Sequence, residues 1–600
     1  MRPSALVAAA TVLASVGTVG ISAPARARAA EPRKQPVAVG YGGAVATVDA
    51  TATAVGLDVL KRGGNAVDAA VAAAATLGVT EPFSAGIGGG GFLVYYDART
   101  RRVHTIDGRE TAPMSATETL FVDPATGQPY PFDAARISGL SVGVPGTLLT
   151  WRDALDRWGS RPLAQMLQPA ERVARTGFTV DETFAGQVAA NQAAFAQFSS
   201  TSGLYLPGGR PPAVGTTLRN SDLAATYRLI AQRGTDVFYR GQIGRDVLAT
   251  VQHPPTVAQP GAAWPYPVRA GAMTTTDLAS YRTRSPVPTR SDYRGYEVYG
   301  MATPSSGGTA VGEALNILER FDLASMTTSQ ALHHYLEASA LAFADRNRYV
   351  GDGTPRRTLR ELLSDAYAGE RACRIDPAAA LPKPVDPGVP DGSYGGCPAA
   401  PAADIRDDRT GTTNLTVADR WGNVVEYTLT IEATGGNGMV VPGRGFLLNN
   451  ELTDFNFVPT QGSAPDPNLP AAGKRPRSSM SPTIVLADGR PFLAVGSPGG
   501  ATIITTVLQT LVNRIDLGMS LPQALAAPRA SQRNGAATQA EPAFITSYAD
   551  GLPPGHAFTA TSEIGAATGI EFLRGGQMLA VAEPERRGGG AAAVLSRSHH

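Results

Sequence analysis

An α+β fold, with helices laid over antiparallel sheets, follows from three features of this 600-residue sequence. Strand patterns come in adjacent pairs joined by short turns, and helical patterns come in separate runs, the segregation that α+β layers produce. The 67 glycines and 46 prolines exceed ordinary usage and favour a turn-rich chain over a helical bundle. With 43% hydrophobic residues, the chain can bury a sizeable core.

The elements follow in order. Residues 1–30, "MRPSALVAAATVLASVGTVGISAPARARAA", offer one early Arg2, an apolar stretch over 5–21, then small residues around Ala29-Ala30. That is a secretory signal, and it predicts a secreted protein trimmed near Ala29-Ala30. As a membrane span the stretch is short and diluted by Ala, Gly and Ser. Helix formers over 52–62 stop at Gly63-Gly64, and Asn65 caps a second, Ala-rich helix from Ala66 to about Leu77. Its small side chains suit close packing on a sheet. Residues 92–97 and 103–107 make a hairpin. Residues 115–340 read as mainly helical, and 331–349 as a helix with one apolar face. From 376 to 408 there is little to bury. Residues 413–419 and 423–431 then form a second hairpin around Arg-Trp-Gly-Asn. Strands over 483–486 and 491–496 and a helix over 503–515 follow. No repeat recurs at a fixed period.

Charge excludes some partners. Lys and Arg number 52 against 51 Asp and Glu, so nothing favours nucleic acid or an anionic membrane surface. Several motifs fail on context. "GIGGGGF" (86–92) precedes a strand rather than opening a helix, so it is neither a P-loop nor a dinucleotide fingerprint. "GSPGG" (496–500) lacks the spacing of a nucleophile elbow. None of the seven histidines falls in a metal-spaced cluster, and His333-His334 are adjacent on a helix, unable to face one ion. The two cysteines, Cys373 and Cys397, bracket a Pro/Gly loop, which in an exported protein predicts a disulfide.

What remains is the abrupt start of a strand at "DDRTGTTNLTVADRWGNVVEYTLT" (407–430). A threonine hydroxyl is a weak nucleophile without a base. Cleavage of the Gly411–Thr412 bond would supply one, because the new α-amine, with a reference pKa of about 7.7–8.0, sits on the same residue as the hydroxyl. Gly411 puts no side chain in the way of attack. By itself Gly-Thr-Thr at a strand entrance is common and does not establish self-cleavage.

Its company is more specific. "DRWGNVVEYTLT", "GRGFLLNNELTDF", "KRPRSSMSPTIV" and "GSPGGATIITTVLQ" after Thr412, with "GGNAVDAAVAAAATLGVTEP", "GIGGGGFLVYYD", "DGRETAP" and "EASALAFADRNRYVGD" before it, stand in the order of the gamma-glutamyltransferases. The sequence resembles this family of N-terminal-nucleophile hydrolases, which act on glutathione, from about residue 38 to residue 593. The resemblance implies a four-layer αββα sandwich of two stacked antiparallel sheets between helical layers. It implies a precursor that cuts itself into a large subunit (31–411) and a small one (412–600), which stay together as a heterodimer around one core. It implies no cofactor and no metal. The partners it implies are small molecules: glutathione, other γ-glutamyl compounds and amino acid acceptors, with no nucleic acid and no membrane.

Residue by residue, Thr412 matches the nucleophile and Thr430 the threonine that helps activate it. Gly499 and Gly500 match the pair whose amides form an oxyanion hole, donors worth about 3 kcal/mol each. Arg109, Ser478 and Ser479 match the groups that hold the substrate α-carboxylate, where a planar guanidinium fork is suited. Asp454 matches the partner of the substrate α-ammonium. Glu432 and Glu451 depart from residues common in relatives, Asn and Gln, and place two more carboxylates by that ammonium. The loop 456–473 looks short for a lid and lacks the lid's aromatic residue, which makes larger γ-glutamyl substrates plausible. A cephalosporin or glutaryl-type acylase on the same scaffold is the alternative, but its acyl group has no ammonium for these carboxylates. A non-catalytic secreted homologue would be expected to lose Thr412 or Thr430, and both are present.

Overall fold

The computed structural model describes residues 33–258, 264–395 and 411–596. The leader over 1–30 and Cys397, and with it the pairing to Cys373, lie outside the described residues. Among the described residues, no helix is long and apolar enough to cross a membrane.

Two antiparallel sheets form the centre. The six-stranded sheet runs Ala591–Val594, Gly43–Thr47, Thr412–Asp419, Val424–Thr430, Gly90–Asp97, Arg102–Asp107. The seven-stranded sheet runs Val37–Gly40, Met578–Ala582, Thr568–Phe572, Arg490–Gly496, Thr483–Ala487, Tyr296–Gly300, Thr289–Tyr293. Each therefore draws strands from both sides of residue 412. The period-2 pattern sorts side chains between layers. Val45, Leu93, Leu415, Val417, Val425 and Leu429 join the core under the helices Ala50–Lys61 and Ala66–Thr80. Ala44, Ala46, Phe92, Val94 and Ala418 face the second sheet. Across that interface Asn414 Nδ2 donates to Thr568 Oγ1 at 2.9 Å, and Thr416 and Thr568 hydroxyls meet at 3.0 Å. Helices Gly307–Leu318, Thr328–Tyr349 and Thr502–Ile515 cover the outer face of the second sheet. The result is the predicted αββα sandwich.

The Ala-rich helix, capped by an Asn65–Asp68 capping box, is buried at every position from Ala66 to Thr80, which its small side chains allow. Three readings change. The mainly helical middle contains the hairpin Thr289–Tyr293/Tyr296–Gly300, which completes the edge of the larger sheet. The helix Thr328–Tyr349 is buried on all sides from Ala331 to Arg346 rather than on one face, because its polar groups find internal partners such as Asp345 with Arg371 and Glu337 with Lys383. Strands after residue 560 have an alternation too short to stand out in sequence, yet they supply the centre of one sheet and an edge of the other.

Candidate active site

Register places the predicted nucleophile. Thr412 opens its strand directly opposite Thr430, and Thr430 in turn faces Gly90. Thr412 Oγ1 and Thr430 Oγ1 lie 3.1 Å apart. Thr430 also lies 3.1 Å from the Gly411 carbonyl oxygen and accepts from the Glu432 amide at 2.8 Å. The carbonyl can only accept, so Thr430 spends its one proton there and the Thr412 hydroxyl donates to Thr430. Thr412 is thus oriented and the carbonyl before it polarised by a single side chain. A Cβ on Gly411 would stand 2.1 Å from the Ala433 carbonyl carbon and the Thr434 nitrogen, so only glycine permits this path. The glycines of "GIGGGGF" serve the same end. A Cβ on Gly89 would fall 2.0 Å from the Thr430 carbonyl oxygen, so the run allows backbone to pack directly behind Thr430.

One pocket contains Thr412, Thr430, Glu432 and Gly500 together with Arg109, Glu451, Asp454, Ser478 and Ser479. Gly411 and Gly499 do not line it but adjoin Thr412 and Gly500, which do. Gly499 and Gly500 have φ of +142° and +59° and lead into the helix Thr502–Ile515. Their amides donate to no acceptor among the described residues, and they sit at the positive end of that helix, a setting that favours a developing oxyanion.

Arg109 is 1% exposed, and its guanidinium is already engaged. One amino group pairs with Glu451 and the other with Asp454, while Nε donates to the Pro476 carbonyl and Nη2 to that of Arg477, each at 3.1 Å. The two carboxylates differ: the Glu451 side chain is 1% exposed and that of Asp454 is 22% exposed, so Asp454 is the one an incoming ligand reaches. Glu432, at a φ of +75°, is held by the Asn450 amide. Ser478 is fixed through its backbone, which pairs with Ser305 beside Pro304, and Ser479 Oγ accepts from Arg346 Nη2 at 2.6 Å.

The loop 456–473 does carry an aromatic residue. Phe457 lines the pocket and stacks on Phe121 at 4.4 Å between centroids. Asp466 ties the loop to itself, accepting from Asn456, the Thr460 amide and hydroxyl, and the Asn468 amide. Those bonds outweigh its partial burial and hold its carboxyl below the usual range, although burial acting alone would raise it.

Two groups went unnoticed in sequence. Arg587 Nη1 donates to the Thr412 carbonyl at 2.5 Å, and its Nη2 to Ser84 Oγ at 2.8 Å. In "PERRGGG" it reads only as a basic turn, and 175 residues separate it from Thr412. Glu110 is buried beside Arg109 with neither carboxylate oxygen hydrogen-bonded among the described residues. Burial pushes its carboxyl up from 4.5 to about 8, with Arg109 opposing. The folded chain keeps a proton that the unfolded chain releases above its pKa of about 4.5. Stability from the neutral carboxyl is therefore complete below that value and is lost as pH rises through about 8. Glu110→Gln, which is neutral at every pH, is expected to gain on the natural protein from pH 5 to pH 8 by up to about 1.4 kcal/mol per pH unit. Melting temperatures across that range check this, and a pH-independent difference would contradict it.

Comparisons with known proteins agree with one another. A family model described as Gamma-glutamyltranspeptidase matches residues 52–594. The chain is 39% identical over 603 residues to a glutathione hydrolase proenzyme of Bacillus subtilis (strain 168), covering 98% of each chain. It is 37% identical over 508 residues to an acylase ACY 1 proenzyme of Pseudomonas sp. (strain SE83), covering 83% of this chain and 84% of that one. Among solved structures, it is similar to a cephalosporin acylase from Bacillus halodurans with a TM-score of 0.81 and 30% identity, over 97% of this chain and all of that one.

Proposed function

Because the chain belongs to the gamma-glutamyltranspeptidase family, we propose that it is an exported, self-processing glutathione hydrolase and γ-glutamyltransferase with Thr412 as nucleophile. The observation that carries this reading is one pocket holding the Thr412 hydroxyl together with Arg109 and the three carboxylates Glu432, Glu451 and Asp454. A glutamyl head is a zwitterion, and that set offers a partner to each of its charges.

Processing comes first. Thr412 Oγ1 attacks the Gly411 carbonyl carbon, the amide bond breaks, and the acyl group moves from nitrogen to oxygen. Water then hydrolyses the ester, leaving a Gly411 carboxylate and a free Thr412 amine. The pieces 31–411 and 412–600 would remain joined, since each sheet takes strands from both. In turnover the amine serves as base for its own hydroxyl. The hydroxyl oxygen attacks the substrate γ-carbonyl, the Gly499 and Gly500 amides receive the oxyanion, and the leaving amine departs with the proton. Water or an acceptor amine then takes the glutamyl group from the ester. On entry, the substrate α-carboxylate displaces the accessible Asp454 from Arg109 with help from Ser478 and Ser479, which frees Asp454 to meet the α-ammonium. None of these steps calls for a cofactor.

The relatives include acylases, and one pair of substrates separates the two activities. γ-Glutamyl-p-nitroanilide and glutaryl-p-nitroanilide differ only in the α-ammonium. The glutamyl compound is expected to be preferred by about 10²-fold or more in kcat/KM, since a glutaryl chain offers no ammonium to the Asp454 carboxylate displaced from Arg109. Preference for the glutaryl compound would assign the chain to the acylases.

A further inference from the structure

Three side chains that the proposed reaction does not use converge on one point outside the pocket. His333 and Glu337 stand one turn apart on the helix Thr328–Tyr349, and His556 comes from the loop before the strand Phe558–Ala560. One potential ligand atom from each lies within 4.8 Å of the other two. His333 Nδ1 and His556 Nε2 are 2.8 Å apart. The other ring nitrogen of His333, Nε2, is 2.8 Å from the Asp376 carbonyl oxygen, which can only accept. The His333 proton therefore resides on Nε2, and Nδ1 offers a lone pair to His556. Metal-binding histidines are held in this way: the nitrogen away from the ion donates to a carbonyl, which fixes tautomer and ring orientation.

Glu337 has a side-chain exposure of 0% and is paired with Lys383, whose Nζ lies 2.7 Å from each carboxylate oxygen. The Leu381 amide adds a bond to Oε2 at 3.2 Å, leaving Oε1 with Lys383 alone and a lone pair to spare. His556 is half-buried, so the cluster can be reached from solvent.

We infer that His333, Glu337 and His556 form a binding site for a divalent ion of the zinc type. Two imidazoles and a carboxylate are a zinc donor set, with water as the fourth ligand. His556 would carry its proton on Nδ1 and give its Nε2 lone pair to the ion. Tetrahedral binding at about 2.0–2.1 Å from each nitrogen requires the rings to part to about 3.3 Å, a small movement of the more exposed ring. The ion would bridge residues on both sides of the Gly411–Thr412 bond, with Asp376 and Lys383, in the stretch leading to that bond, behind its ligands. The inference does not depend on the proposed activity. His556 is 223 residues from His333, which is why sequence spacing did not reveal the cluster.

The test uses the full chain, stripped with a chelator and dialysed, titrated with zinc sulfate by calorimetry beside His556→Gln. Glutamine can still donate a hydrogen bond to His333 Nδ1 but is a poor zinc ligand, so the variant separates metal binding from packing. Expected is one zinc per chain for the natural protein, an affinity at least 100-fold weaker in the variant, and a zinc-dependent rise in melting temperature that the variant lacks. Absence of zinc binding by the natural protein would overturn the inference. So would equal binding by the variant, which would place the ion elsewhere, as at His599-His600.

Discussion

Thr412→Ala is expected to yield one uncut chain on a denaturing gel, where the natural protein gives two fragments, the smaller beginning at Thr412. In the proposed mechanism the side chain removed is at once the attacking group in processing and the nucleophile in turnover. Activity on γ-glutamyl-p-nitroanilide is expected to fall roughly 10⁴–10⁶-fold, the range seen when a nucleophile is deleted from an enzyme whose other groups act with it. Thr412→Ser keeps a hydroxyl in the same register and is expected to cut, more slowly. The Thr412→Ala chain should fold, with a circular dichroism spectrum like that of the natural protein, because Thr412 contributes one hydrogen bond of its own side chain to the fold. Intact mass and the N-terminal residue of the smaller fragment decide the matter. A cut Thr412→Ala chain would remove the threonine from the chemistry, and an uncut natural chain would reduce Gly411–Thr412 to a strand entrance.

Arg109→Lys is the second large effect. Lysine keeps the charge beside Glu451 and Asp454, so neither carboxylate is left buried and unpaired, a loss that costs roughly 3–5 kcal/mol. The planar fork is lost, and with it two-point contact to a carboxylate. At about 1.5–3 kcal/mol for a charge-assisted bond, kcat/KM for γ-glutamyl substrates should drop about 10- to 200-fold. The loss should appear in KM, with self-cleavage intact. A fall in kcat alone would mean that Arg109 acts on the reacting bond and not on the α-carboxylate.

How much could be read in sequence depended on how far each signal extends along the chain. The hairpins at 92–107 and 413–431 and the Ala-rich helix after Asn65 were legible because alternation, turn residues and caps are local. The hairpin Thr289–Tyr293/Tyr296–Gly300 was not, since its strands are short and Thr289 and Ser291 on the buried face are polar like Arg290 and Asp292 on the exposed one, which leaves little hydrophobic alternation to read. The helix Thr328–Tyr349 looked amphipathic because its histidines and acids are polar in composition, and only their partners make them core residues. Of the site, the residues on motifs were legible by resemblance and are brought into or next to one pocket. That Arg109 is engaged by Glu451 and Asp454 was not, because a pairing across more than 340 residues has no local trace. Arg587 and the cluster at His333 were hidden for the same reason.

The strand Ala591–Val594 pairs with Gly43–Thr47, which pairs with the strand that begins at Thr412. An early strand and the last described strand thus meet beside residues 415–419 of the strand that Thr412 opens. Such long-range closure is slow, and it cannot begin while the end of the chain is still in the ribosome. Its order of events acts as a clock. Under the proposed processing, a nascent polypeptide has no finished sheet around Thr412, and the cut at Gly411–Thr412 would wait until synthesis is complete. The two proposed pieces would then already share both sheets when the bond between them breaks.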